Sequence, residues 1–242
     1  MRVSLELVAK SAGRAVERGD VIVVIDVLRC TSSIITALTH GAKSVRPVKT
    51  VKEARQIYKD DPTYILAGER KGLKPKGFTL GNSPRGFTQN LVEGKNIVIT
   101  TTSGTLALSN AMGSRWVLIG AMLNAKYVAE AAVTLSEKED RGISLVLSGS
   151  RGRFSLEDFL GAGAIIDGFP KARMECADAA YAAFLAFSNA KDSLTTTLQE
   201  SAHGKNLQHL GFGKDVVFCS QLNRFQIVPH LRNNVIVPLD YK

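Results

Sequence analysis

Short apolar runs alternate along the chain with polar or glycine-rich turns and with stretches of helical period. Val21–Asp26 (VIVVID) is β-branched and apolar on both faces, the pattern of a strand buried between two layers. Ser32–His40 carries Ile34, Ile35, Ala37 and Leu38 at helical spacing, with Gly41 in the position of a C-cap. Thr50-Val-Lys-Glu53 is a capping box that opens a helix toward Tyr58, and Thr63–Ala67 reads as the next strand. Gly68–Phe87 is long, glycine-rich and irregular, a length that usually belongs to a binding or lid element. Asn96–Thr100 predicts a strand that runs through a hydroxyl-rich turn into a helix ending near Met112. Trp116–Gly120, a helix after Asn124 and the strand Ile143–Ser148 repeat the alternation. A second polar loop covers Gly149–Ser155, where Ser155 can cap a helix reaching Ile166. Ala177–Phe187 reads as a core helix, Asp215–Cys219 and Phe225–Val228 as a closing strand pair, and Val235–Val237 as a third strand.

Alternating strands and helices predict an α/β layered fold with a largely parallel sheet and antiparallel additions at the C-terminal end. No repeat or linker-like stretch interrupts the 242 residues, so one unit over 1–242 is expected, with a division into two lobes near residue 150 as the other arrangement. A chain of this size buries roughly 70–75% of its unfolded surface and needs no disulfide or metal to complete a core. Cys30, Cys176 and Cys219 are odd in number and form no CxxC pair, against a zinc ribbon or a disulfide framework. The N-terminal stretch meets Glu6 too early for a secretory segment, and no apolar run reaches membrane-spanning length. A cytoplasmic protein with no membrane partner is expected.

The formal charge of +9 favours anionic partners, either nucleic acid or a small polyanion. The basic residues are scattered rather than blocked and lack interleaved aromatics, which favours the small polyanionic substrate and no nucleic acid.

In α/β sheets ligands sit beyond the carboxyl ends of strands, and polar segments fall at such ends here. After the first strand come Asp26, a carboxylate able to hold a divalent cation, Arg29, a planar fork for phosphate or carboxylate, and a run of hydroxyls. Thr102, Ser103, Gly104 and Thr105 can cradle an anion, although the lysine of a P-loop is absent. Arg151 and Arg153 precede a helix whose first turn holds Glu157 and Asp158, and Glu69-Arg70 follows another strand directly. The same residues also serve as caps, turn residues and helix-dipole partners. Taken together, three carboxylate positions, several arginines and a hydroxyl-rich turn at one expected sheet edge suit a divalent metal bound to a phosphorylated, multiply charged small molecule. A thiol mechanism fits poorly, because the residue five beyond Cys30 is Ile35 rather than arginine, and no GxSxG elbow occurs. His203, in a polar turn, is either a general acid or a surface histidine.

In these segments the sequence resembles the 2-phosphosulfolactate phosphatase family. IDVLRCTSSIITALTHGA, AGERKGLKPKGFTLGNSP, ITTTSGTLAL, GRFSLEDFLGAGAIID and, more weakly, SAHGKNLQHLGFGKDVVFC carry the resemblance from about residue 20 to 229. Leu147–Gly152 (LSGSRG) departs from the expected Cys-Ala-Gly type of strand end. The resemblance implies a three-layer α/β/α fold with a mixed sheet. It also implies magnesium-dependent hydrolysis of 2-phospho-3-sulfolactate to 3-sulfolactate and phosphate, in coenzyme M biosynthesis. On that basis Mg2+ falls to Asp26, Glu69, Glu157 and Asp158, directly or through water. Arg29 and Arg70 clamp phosphate or carboxylate, Ser103 to Thr105 with nearby amides bind an anionic end, and Asp26, Arg29 and His203 act in catalysis. A related phospho-2-hydroxy acid as substrate, a non-catalytic anion-binding protein and a nucleic-acid-binding module remain the alternatives.

Overall fold

The computed structural model describes residues 1–241. In chain order the first half comprises β1 (Arg2–Glu6), α1 (Ala12–Glu17), β2 (Val21–Ile25), α2 (Cys30–Thr39), β3 (Ser44–Pro47), α3 (Val51–Asp60), β4 (Ile65–Gly68), α4 (Gln89–Val92), β5 (Asn96–Thr100), α5 (Gly104–Ala111) and β6 (Val117–Gly120). It continues through α6 (Ala125–Glu139), β7 (Ile143–Leu147), α7 (Leu156–Asp167), β8 (Glu175–Cys176), α8 (Asp178–Ala190), α9 (Leu194–Glu200), α10 (Ala202–His209), α11 (Gly213–Cys219), β9 (Pro229–Arg232) and β10 (Val235–Pro238).

The ten strands form one mixed sheet in the order β4-β5-β3-β10-β9-β6-β2-β7-β1-β8. β2 explains the layering. Its Val21, Val23 and Ile25 point into a core shared with α6, α7 and α8, while Ile22 and Val24 point into a second core shared with α2 and α5. Each such side chain contributes roughly 1.5–3 kcal/mol on burial, so the sheet is held from both faces and the α/β/α fold follows. A smaller cluster of Ala54, Leu66, Phe78 and Val98 seats α3 and the glycine-rich loop over β4 and β5. Strands on both sides of residue 150, β7 and β8, pair with the same neighbour, β1.

Three successive antiparallel pairings, β6–β9, β9–β10 and β10–β3, reverse the chain sense across the middle of the sheet. The parallel set β3, β4, β5 therefore runs opposite to the parallel set β1, β2, β6, β7, β8. The expected single parallel edge is replaced by two opposed sets joined through the β9–β10 hairpin.

Local signals set most boundaries. Thr50 accepts the Glu53 amide at 3.1 Å while Glu53 reaches the Lys49 amide, one residue short of a reciprocal box. Ser155 caps α7 through the Asp158 amide, and Gly41 ends α2 at φ +87°.

Two expectations are corrected. Asp215–Cys219 is helical, in α11; its buried positions Asp215, Val216 and Cys219 follow the helical period, and helix packing overrides the strand propensity of Val-Val-Phe. Phe225–Val228 is not a strand; the pairing begins at Pro229, with Val235–Pro238 as its partner. α8 is the expected core helix, apolar on one side: Ala180, Ala183, Phe187 and Ala190 join the core of α6 and α7, while Tyr181 and Leu185 on the other side are about half exposed.

Candidate active site

The segments that follow β2, β4, β5 and β7 line one cavity of about 660 Å3. Two close approaches bring the opposed sheet halves to it. At Gly104, the first residue of α5, a β-carbon would lie 2.5 Å from Asp26 Oδ2 and would also strike Cys30, so only glycine lets this turn close on β2. Gly68 ends β4 at φ +140°, where a β-carbon would collide with the Thr100 carbonyl. That approach delivers Glu69 to the turn after β5, and its two carboxylate oxygens strap the turns together. Oε2 accepts the Gly72 amide at 2.7 Å and Oε1 the Thr102 amide at 2.6 Å.

Asp26 is buried at the end of β2, with Oδ1 accepting the Cys30 amide at 3.1 Å. Burial pushes its carboxyl up to about 6, against the Cys30 amide, the His203 charge and the Ser148 hydroxyl, and Glu69 adds to the rise. Asp158, in the first turn of α7, takes the Val27 amide at 2.8 Å on Oδ1 and the Ser148 hydroxyl and Gly149 amide on Oδ2. It thus ties the end of β2 to the end of β7, and burial first, then the charges of Asp26 and Glu157, hold its carboxyl well above the usual range. Glu157 is 3% exposed, lines the cavity and makes no hydrogen bond or ion pair among the described residues.

Arg29 is committed. Its guanidinium donates to Asp215 at 2.8 Å and to the Gly72 carbonyl at 2.9 Å, and it stacks 4.2 Å over the Phe212 ring. Asp215 also accepts the Ser83 hydroxyl at 2.7 Å, so Arg29 lines the cavity with its charge largely offset. Arg70 turns away from the cavity: its donors go to the Glu69 and Lys49 carbonyls and to the Thr100 hydroxyl. Thr102 and Ser103 line the cavity, whereas Gly104 and Thr105 lie behind it. Thr105 exchanges hydrogen bonds with Thr101 and has no free polar atom to offer a ligand. Arg151 and Arg153 stand on the rim, exposed and without ion pairs among the described residues, in a turn closed by reciprocal Ser150–Arg153 backbone bonds.

His203 is not in a turn. It occupies the first turn of α10, capped by Ser201, and lines the cavity. Its Nε2 lies 2.9 Å from the Leu28 carbonyl; a carbonyl only accepts, so Nε2 carries a proton and Nδ1 is left to exchange one. The Cys30 thiol is buried, and burial followed by the Asp26 charge pushes it up, away from the reactive thiolate.

The floor of the cavity therefore gathers Asp26, Glu69, Glu157 and Asp158, and its rim carries Lys71, Arg151 and Arg153. As four direct ligands the carboxylates do not converge. No group of three or more His, Cys, Asp or Glu able to hold a metal ion occurs among the described residues, and Glu69 and Asp158 spend both oxygens on protein donors. Magnesium, however, typically takes one or two carboxylates, substrate phosphate oxygens and water rather than an all-protein cage. The buried, unpartnered Glu157 and the remaining oxygen of Asp26 fit that smaller donor set.

Sequence reasoning missed Lys71, Asn82, Glu200 and Asn206, and the apolar wall of Leu28, Phe154, Leu156 and Leu207. Lys71 and Asn82 stand in the glycine-rich loop already marked as a binding element. Asn206 stands three residues after His203 in a segment already marked by the resemblance, one helical turn along the same face; for Glu200, just before that segment, no signal was available.

A buried carboxylate floor thus lies under a cationic rim, where segments from both halves of the sheet meet. Residues 8–234 match the protein family described as 2-phosphosulpholactate phosphatase. A protein of Thermotoga maritima named probable 2-phosphosulfolactate phosphatase is 43% identical over 89% of this chain and 90% of its own length. Proteins of the same name from Clostridium novyi and Clostridium acetobutylicum are 38% and 36% identical, over 95% and 98% of this chain and 96% and 100% of theirs. The chain belongs to the 2-phosphosulfolactate phosphatase family. No helix among the described residues is long and apolar enough to cross a membrane.

Proposed function

We propose that this chain hydrolyses 2-phospho-3-sulfolactate to 3-sulfolactate and phosphate with the help of Mg2+, a step of coenzyme M biosynthesis. Family membership supports the substrate class, and the carrying observation is the charge layout of the cavity. A phosphate ester of about −1.5 to −2, joined to a sulfonate and a carboxylate, would be repelled by Asp26 and Glu157 unless a cation lay between them. Asp26 and Glu157 would hold magnesium, which supplies charge neutralisation at the phosphoryl oxygens. Glu69 and Asp158 fix the turns around them.

The other groups act on the substrate itself. Lys71, Arg151 and Arg153 receive the sulfonate and carboxylate ends, and Thr102 and Ser103 offer hydroxyls on the opposite wall. Arg29, held by Asp215 and Phe212, presents a rigid edge rather than a free charge. With Nε2 fixed on the Leu28 carbonyl, His203 delivers a proton from Nδ1 to the oxygen that leaves phosphorus. The apolar wall excludes bulk water and strengthens each of these contacts.

The test is phosphate release from 2-phospho-3-sulfolactate after metal stripping, followed by magnesium titration. Activity should vanish with chelator and return with magnesium. Asp26→Asn should stay folded and lose several orders of magnitude in rate, on the order of the 10²–10⁴ of one key catalytic group or more. Full turnover in chelator would overturn the metal assignment, and an active Asp26→Asn enzyme the assignment of Asp26.

A further inference from the structure

Two turns that reach the cavity are built alike. Arg70-Lys71-Gly72-Leu73 follows β4 in one strand set, and Ser150-Arg151-Gly152-Arg153 follows β7 in the other. In each the outer residues exchange both backbone hydrogen bonds, Arg70 with Leu73 and Ser150 with Arg153. In each the two central residues are left-handed, Lys71 and Gly72 at φ +54° and +84°, Arg151 and Gly152 at φ +53° and +77°. These are type I′ turns, whose first central position favours asparagine, aspartate or glycine. Both turns give that position to a cation instead, and a residue held against its backbone preference at a cavity points to a use there. Lys71 and Arg151 are exposed and line the cavity, and their charged groups make no hydrogen bond or ion pair among the described residues.

The turns differ in how they are held. The first is fastened to the floor at Gly72, whose amide goes to Glu69 Oε2 at 2.7 Å and whose carbonyl accepts from Arg29 at 2.9 Å. Leu210 closes over it, 2.7 Å from where a β-carbon on Gly72 would lie. The second is held at its base, where the Gly149 amide meets Asp158, and nothing lies within 4 Å of the β-carbon position of Gly152. The substrate of the phosphatase reading has a matching asymmetry. Its carboxylate is attached to C2, the carbon that bears the phosphate, while its sulfonate stands one carbon further out, on C3. We propose that the open turn reads the sulfonate through Arg151 and that the fastened turn receives the carboxylate through Lys71, an inference that rests on the phosphatase reading. The turn tied to the floor serves the group placed together with the phosphate, and the turn in open space reaches the far end. There a guanidinium fork meets two sulfonate oxygens at once. Arg151 thereby sets the preference for a sulfonated substrate.

The test reads the ratio of kcat/KM for 2-phospho-3-sulfolactate to that for phospholactate, which keeps the carboxylate and lacks the sulfonate, with magnesium present. Both efficiencies scale with the folded fraction, so the ratio does not move when a variant is merely less stable. In the wild type it should be about 10 to 150, the worth of one charge-assisted contact. Arg151→Met should bring it close to one, whereas Lys71→Met should lower both efficiencies and keep it. Gly152→Val puts a β-branched side chain at a left-handed position without a collision; it should lower the ratio with the charge still present, and Gly152→Asn, which tolerates that backbone, should keep it. An Arg151→Met or Gly152→Val enzyme with the wild-type ratio, a Lys71→Met enzyme that loses it, or a wild-type ratio near one overturns the inference. A wild type that releases no phosphate from either ester overturns the phosphatase reading instead.

Discussion

Replacing Asp215 by alanine removes the carboxylate that offsets a buried guanidinium. Arg29 and Asp215 are each 2% exposed at the side chain and lie 2.8 Å apart. Breaking such a pair from one side leaves a charge without water or partner and costs about 3–5 kcal/mol. The Ser83 hydroxyl also loses its acceptor. At roughly 2–4 °C per kcal/mol for a chain of this length, Asp215→Ala should lower Tm by about 6–20 °C. Arg29→Met combined with Asp215→Leu removes both charges, keeps the volume against Phe212, and should recover most of that loss, since apolar replacement of a buried pair is often near neutral. The assay is a double-mutant cycle by urea denaturation at neutral pH, using Arg29→Met, Asp215→Leu and the pair. A large favourable coupling is expected. If Asp215→Ala stays within about 1 kcal/mol of the wild type, the low end of single-substitution effects, then Arg29 is not committed to the fold and counts as a free anion-binding cation.

Three further outcomes follow from the same geometry. Glu69→Gln must set an NH2 group against one of two amide donors, Gly72 or Thr102; KM should rise, and the loop at residues 70–77 should be cut faster in limited proteolysis, with unchanged rates counting against the strap. Arg70→Met should lower Tm and leave KM nearly unchanged, whereas Lys71→Met should raise KM and leave Tm unchanged; the reverse pattern would exchange their roles. Burial pushes the Asp20 carboxyl up, but the Ser144 hydroxyl, Arg18 and Arg2 outweigh it and hold it below the ordinary 3.8. Its stabilisation is therefore complete above that value and lost as the pH falls through the lower folded value, so Asp20→Asn should flatten this part of the acid limb of a stability–pH series, and an identical limb in both proteins would contradict it.

How far the site could be read from sequence depended on how local its causes are. The two-faced burial of β2 is written in VIVVID, and Asp26 and Glu69, just past strand ends, together with Glu157 in the helix that follows the loop after β7, were legible because strand ends are where α/β proteins bind ligands. Arg70 and Lys71 show the limit: adjacent, alike in charge, and sorted only by the backbone of the turn that sends one to Thr100 and the other to the cavity. The neutralisation of Arg29 by Asp215 joins residues 186 positions apart, and nothing near either one announces it. The opposed sense of the two strand sets hangs on where one C-terminal hairpin inserts. DVVFC read as a strand because its propensity is β, and His203 read as a turn residue because the capping Ser201 was not recognised as a helix start.

The measurement that tests the central claim most directly is steady-state phosphate release from 2-phospho-3-sulfolactate and from phospholactate, side by side, with magnesium present. On the proposed reading the rim cations Lys71, Arg151 and Arg153 exceed what one phosphate needs, and at least one would meet the sulfonate. A charge-assisted contact is worth about 1.5–3 kcal/mol, and at 1.36 kcal/mol per decade phospholactate should be turned over about 10- to 150-fold less efficiently in kcat/KM. Equal efficiency on both would contradict a cavity that reads the second anionic group, and no release from phosphosulfolactate would contradict the assignment itself.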